Sequence, residues 1–96
     1  MTKYRINKYR HDQIRHCSGL TIHQMIGEDE NGILTEVGSF DRLGDATATF
    51  ARLESDVHVY SGRFGDLCDI TYYELEAVEC DEDGNVDDIR TISKTD

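Results

Sequence analysis

Residues 67–80 read LCDITYYELEAVEC, fourteen positions with no glycine or proline and a high share of β-branched and aromatic side chains. Such a run reads as one long strand. Neighbouring strand residues point to opposite faces, so Cys68, Ile70 and Tyr72 share one side and Tyr73, Leu75 and Ala77 the other. The apolar face therefore changes sides midway, and the adjacent tyrosines are expected to mark a β-bulge or a strong twist. At least one of them is expected in the core; the other, if exposed, offers an interface anchor.

The strand runs into ECDEDGNVDD, residues 79–88, with six carboxylates in ten positions. Counted as a calcium loop from Glu79, Asp81, Asp83, Gly84, Val86 and Asp87 fall in the expected places, but Arg90 occupies the twelfth, where a bidentate glutamate belongs. The flanking segments also read as strands where an EF-hand needs helices. A hairpin turn is the better reading, and no metal is expected.

Upstream, Asn31-Gly32 separates the alternating runs 20–27 and 33–40, which predicts a hairpin with a type I′ turn. Placing Gly84 on Gly32 aligns MIGEDENGILTEVGSF with AVECDEDGNVDDIRTI, suggesting a similar hairpin used twice. Between them DRLGDATATFARLES offers Asp41 as an N-cap and sets Leu43, Ala46, Phe50 and Leu53 at helical spacing, so Phe50 and Leu53 should pack an amphipathic helix onto the sheet. DVHVY reads as a further strand, and SGRFGD as a turn. Residues 3–10 alternate loosely, although a helical face is also available to them. The expected fold is α+β: an antiparallel sheet of two β-hairpins with one amphipathic helix on one face.

The 96 residues suffice for one domain. Twenty acidic side chains stand against ten basic, a net charge of −10. The imbalance is uneven: residues 1–18 carry +4 and residues 19–96 carry −14. An acidic body of this kind excludes direct binding to nucleic acid or to an anionic membrane, because each phosphate contact needs a positive group. Tyr4, Ile6 and Tyr9 give the basic segment apolar groups to bury, so it is expected to fold back on the acidic sheet as an edge strand. No apolar run reaches the length of a membrane span, and no apolar signal core follows the charged start, so a soluble, cytoplasmic protein is expected. Three cysteines at wide spacing suggest reduced thiols.

His11, His16, Cys17 and His23 match no common zinc spacing, and His11 and His16 lie in a basic stretch that repels cations. The glycines of SGRFGD precede no helix, so no phosphate loop is expected. No nucleophile–base signature is present, and among twenty carboxylates any pairing has little diagnostic value. The chain is not expected to be an enzyme, nor to require a cofactor.

The acidity is the remaining signal. Arginine and lysine recognise carboxylate much as they recognise phosphate, so a fixed array of carboxylates can occupy the basic groove of a nucleic-acid-binding protein. In size, acidity and hairpin-helix-hairpin layout, chiefly over residues 19–96, the chain resembles the small acidic inhibitors of phages and mobile elements, among them anti-CRISPR proteins and other DNA mimics. That resemblance implies a basic protein partner, such as a nucleic-acid-binding defence complex. The candidate face comprises Asp81, Glu82, Asp83, Asp87 and Asp88 of the turn and its following strand, Glu74 and Glu76 of the long strand, and Asp29 and Glu30 if the two hairpins lie side by side. The competing explanation is a non-enzymatic accessory domain whose carboxylates serve solubility or adaptation to high salt.

Overall fold

The computed structural model of the protein describes residues 1–15, 20–27, 32–62 and 65–95. In chain order these form β1 (Thr2–Arg15), α1 (Ile22–Ile26), β2 (Ile33–Phe40), α2 (Leu43–Phe50), β3 (Asp56–Gly62), β4 (Gly65–Cys80) and β5 (Val86–Lys94). The strands make one antiparallel, five-stranded sheet in the order β2-β1-β4-β3, with β5 also on β4. The fold is α+β. Sixteen residues of strand span about 53 Å at ~3.3 Å each, and β4 accordingly sets the 52 Å long dimension of the molecule.

The long strand at 67–80 is thus the spine of the sheet. One of its edges carries β1 along nearly its whole length; the other carries β3 beside residues 65–71 and β5 beside residues 74–80. No bulge interrupts β4 at Tyr72 and Tyr73, where pairing with β1 is continuous from Thr2↔Glu79 to His11↔Ile70. The change of apolar face has another cause. Two helices cover opposite faces of the sheet at opposite ends. At one end α1 lays Ile22, with Met25 and Ile26, over Cys68, Ile70 and Tyr72, flanked by Tyr9, Ile14 and Val57. Toward the other end Ala46 of α2 packs on Ile6 and Leu75, ringed by Tyr4, Phe40, Phe50, Leu53 and Tyr73.

Further sequence expectations are corrected by the same pairing. The run 20–27 is not a strand paired with 33–40: residues 22–26 are helical, and β2 pairs with β1 from Tyr4↔Phe40 to Arg10↔Ile33. Thr21 begins the helix with a capping box, its hydroxyl accepting from the Gln24 amide while the Gln24 side chain accepts from the Thr21 amide. Two amide donors are satisfied at once, and Ile22, Met25 and Ile26 fall at helical spacing on the core. The aligned halves MIGEDENGILTEVGSF and AVECDEDGNVDDIRTI are therefore not two copies of a hairpin, since only the second half lies within one. Residues 28–31, with Asp29, Glu30 and the asparagine of the expected type I′ turn, lie outside the described residues. Gly32 has a different use: a Cβ there would collide with the His11 ring.

The basic segment is not an edge strand. It lies between β2 and β4, in the middle of the sheet. Its one large irregularity falls between His11 and Ile14, where Gln13 takes φ +58° and its amide donates to Asp69. The helix after β2 begins at Arg42 rather than Asp41, with no side-chain cap. Ala46, not Leu43, is its fully buried contact; Leu43 is exposed, and Phe50 and Leu53 are half-buried.

The core depends most on its completely enclosed side chains. Leu75→Ala or Ile6→Ala should each lower stability by about 2–5 kcal/mol, and Ala46→Leu by about 1–3 kcal/mol through overpacking. Leu53→Ala should cost less than either truncation. Urea unfolding monitored by circular dichroism checks the ranking; equal losses at Leu53 and Leu75 would contradict it.

Candidate functional site

Pairing of β1 with β4 fixes the fate of two of the candidate carboxylates. Arg5 stands opposite Glu76 and Asn7 opposite Glu74, so all four side chains lie on the face that α1 covers farther along. Glu76 is only 5% exposed. It accepts from Arg5 Nε at 2.6 Å and from Asn7 Nδ2 at 2.7 Å, and the Arg5 guanidinium also reaches it with Nη2. Glu74 is largely buried, 3.4 Å from the Lys94 ammonium. The two ion pairs join β1, β4 and β5, and Glu76 has no surface left to offer a partner.

The Tyr9 phenol lies next to this cluster. Its ring stacks on Tyr72 at 4.9 Å. Burial, followed by the Glu74 charge and a hydrogen bond to that carboxylate, pushes its pKa up to about 12. Burial and the Glu74 charge raise Tyr72 as well. Tyr72 is also the meeting point of two of the candidate histidines: His11 stacks on it at 5.9 Å and His23 meets it edge-on at 4.8 Å. His11 is buried, and the His23 Nε2 lies 3.4 Å from the Thr95 carbonyl. These histidines serve as aromatic packing. His16 and Cys17 lie outside the described residues, as do Arg63 and Phe64 of the SGRFGD turn, which is closed by Gly62 pairing with Gly65. Among the described residues, no group of three or more acidic, histidine or cysteine side chains is arranged to hold a metal ion.

The other carboxylates have a different setting. Asp81 accepts from the amides of Asp83 and Asn85, and Gly84 turns the chain at φ +85°. That arrangement fixes the β4–β5 turn, with the Asp81 amide donating to the Asn85 carbonyl. Glu79, Glu82, Asp83, Asp87 and Asp88 are all exposed around it. Among the described residues none of the five lies within ion-pair distance of a cation. Beside the turn, Met1, Lys3, Cys80, Asp81, Glu82 and Gly84 line an open groove of about 440 Å³, which the N-terminal ammonium borders while donating to the Cys80 carbonyl.

Sequence reasoning thus found the turn but not the split between buried and exposed carboxylates. Glu74 and Glu76 alternate in phase with Tyr72 and Val78, while Arg5 and Asn7 alternate in phase with Tyr9 and His11; without the register of β1 on β4 nothing in the sequence joins the two sets. Comparison with protein-family models, with curated proteins and with solved structures gives no match.

The buried pair should behave as a unit. Arg5→Met leaves the Glu76 charge buried without its guanidinium and should cost about 3–5 kcal/mol, whereas Arg5→Met with Glu76→Leu should recover much of that loss. A double-mutant cycle by denaturant unfolding reads the coupling, and strictly additive losses would contradict the pairing. For Tyr9, the unfolded phenol ionises near pH 10 while the folded one resists ionisation until about pH 12, so its contribution to stability is complete below pH 10 and is lost as pH rises toward 12. Tyr9→Phe should remove the last phenolate transition in an ultraviolet titration and flatten the alkaline fall in stability; an unchanged titration would overturn the assignment.

Proposed function

We propose that the protein is a small acidic protein-binding inhibitor that blocks a nucleic-acid-binding protein by presenting carboxylates in place of phosphates. The observation that carries this reading is the segregation of charge. On β1, Arg5 is spent on the buried Glu76 and Arg10 on Asp12. The uncompensated carboxylates Glu79, Glu82, Asp83, Asp87 and Asp88 gather at one end of the molecule around a turn that Asp81 braces. A braced turn holds charge in a fixed array, and a fixed array loses little entropy on binding.

The contact set drawn from sequence is narrower by Glu74 and Glu76, which serve the fold, and by Asp81, whose carboxylate holds the turn. The partner that fits is a basic protein groove that otherwise takes a nucleic-acid backbone, such as that of a nucleic-acid-binding defence complex in the cytoplasm. An anti-CRISPR protein is one member of this class. Long-range attraction speeds the encounter, and affinity falls as salt rises.

Glu82→Lys with Asp83→Lys tests the reading. Both positions are exposed, and the hydrogen bonds of the turn use Asp81 and backbone amides, so the fold should survive. Immobilised wild-type protein should retain a basic nucleic-acid-binding protein from host extract at ordinary salt and displace its nucleic acid. The double variant should lose at least tenfold in affinity, about 1.4 kcal/mol. Equal capture by both proteins would end the carboxylate-mimic reading and leave solubility or salt adaptation as the account of the acidity.

A further inference from the structure

β5 is exposed at every one of its nine residues, including Val86, Ile89 and Ile92 at 40–54%. Among the described residues it pairs with β4 alone. Its outer edge therefore presents open hydrogen-bonding groups, a configuration that proteins ordinarily cover or guard.

The direction of those groups follows from the register. The Cys80 amide and carbonyl are bonded to Met1, on the β1 side, and the Tyr73 carbonyl accepts from Thr95, on the β5 side. Odd-numbered residues of β4 from 73 to 79 thus turn their backbone groups toward β5. Their partners are Ser93 for Leu75, Arg90 for Ala77 and Asp88 for Glu79. Ile89 and Thr91, which alternate with these, direct their amides and carbonyls outward.

Residues 86–92, VDDIRTI, are self-complementary about Ile89. In an antiparallel pair of two such strands, Ile89 meets Ile89, Asp88 meets Arg90, Asp87 meets Thr91 and Val86 meets Ile92. Every charge in that register faces an opposite charge or a hydroxyl, and every apolar residue an apolar one. Hydrogen-bonded pairs fall at Ile89 and Thr91, which are the outward-facing positions. Asp88 and Arg90 occupy the closer, non-hydrogen-bonded sites, where side chains interact most.

The chain by itself leaves this same pair of charges unsettled. Asp88 stands directly opposite Glu79, like charge against like, while Arg90 stands opposite Ala77 and has no ion pair among the described residues. The strand as a whole balances Asp87 and Asp88 with Arg90 and Lys94, so it is a neutral stretch in a body of net charge −10.

We propose that β5 pairs antiparallel with β5 of a second copy of this chain, centred on Ile89, so that the two sheets join across a two-fold axis and each Arg90 neutralises the other copy's Asp88. The irregularities at Asp87 and Ile92 leave residues 88–91, with the Ile89 and Asp88–Arg90 pairs, as the regular centre of the paired segment. Two braced acidic turns are then carried outward on either side of the axis. The inference does not depend on the inhibitor reading: it draws Asp87 and Asp88 into the paired edge with Ile89, Arg90 and Thr91, and leaves Glu79, Glu82 and Asp83 to the acidic array.

Sedimentation of the full chain over a concentration series tests it, at about 0.15 M salt so that repulsion between the two acidic bodies is screened beyond ~8 Å. The mass should rise with concentration from 11.0 kDa toward twice that value. Arg90→Asp and Asp88→Arg should each weaken self-association at least tenfold, since each sets like charges face to face. Mixed in equal amounts, these two variants should form a heterodimer, because the first then presents a carboxylate at both positions and the second a guanidinium at both. Thr91→Pro, which removes an outward amide without touching the charges, should also leave a monomer. A wild-type mass fixed at 11.0 kDa up to millimolar concentration would overturn the proposal, as would undiminished self-association of the Arg90→Asp variant or a mixture that stays monomeric.

Discussion

From Thr2 to His11, β1 runs antiparallel to β4 without a break, each residue opposite one between Glu79 and Ile70. This pairing brings together parts of the chain some seventy residues apart, and it places the most basic stretch of the sequence against the strand that carries Asp69, Glu74, Glu76 and Glu79. Thr2 donates to Glu79, Arg5 and Asn7 to Glu76, and the Gln13 amide to Asp69. Without β1, β2 would lose its partner, since among the described residues it is bonded to β1 alone. Both helices would also lose part of their seats: α1 covers Tyr9 and Ile14, and α2 covers Tyr4 and Ile6.

The chain route follows from the same pairing. After β1 the chain must return to pair with β1's free edge, and α1 makes that return over one face. After β2 it must cross to the far edge of β4, and α2 makes that crossing over the other. Each helix covers what its connection passes over, so the sheet is enclosed in two diagonal patches rather than one layer. A spine that is buried on alternate faces needs apolar residues that change sides midway, which is what Cys68, Ile70 and Tyr72, then Leu75 and Ala77, provide. The β3–β4 and β4–β5 hairpins are local and can form early. The β1–β4 ladder must close a long loop first, and that cost sets the slow part of folding.

This explains which parts of the fold are legible in the sequence. The spine, the braced turn at residues 81–85, β2, β3 and the helix around Ala46 are all determined by neighbours within a few positions, and their patterns show it. The Thr21 helix is equally local, with Thr21 and Gln24 at capping-box spacing; the alternation of Leu20, Ile22 and Ile26 masks it, because residues 22 and 26 share a face in either conformation. What local pattern cannot supply is the partner across the sheet. Glu74 and Glu76 look like surface charges until Arg5, Asn7 and Lys94 are set beside them, and Tyr72 with Tyr73 looks like a bulge until two helices are seen on opposite faces.

Charge then has two roles in one molecule, distinguished by where water is. Inside the sheet a carboxylate is tolerated only with its cation and a further donor, and Glu76 has both in Arg5 and Asn7. At the turn, water solvates the carboxylates, and mutual repulsion is offset by the shape that Asp81 imposes. The first role spends Arg5 of the N-terminal segment on Glu76, and the exposed carboxylates of the adjacent β4–β5 turn keep no ion pair among the described residues. Arg90 is the exception, a cation left among exposed carboxylates and placed opposite an alanine. A strand edge that carries both signs one residue either side of its centre is matched most simply by its own reverse, and this is why the edge of β5, rather than the acidic turn, is where a second copy of the chain fits.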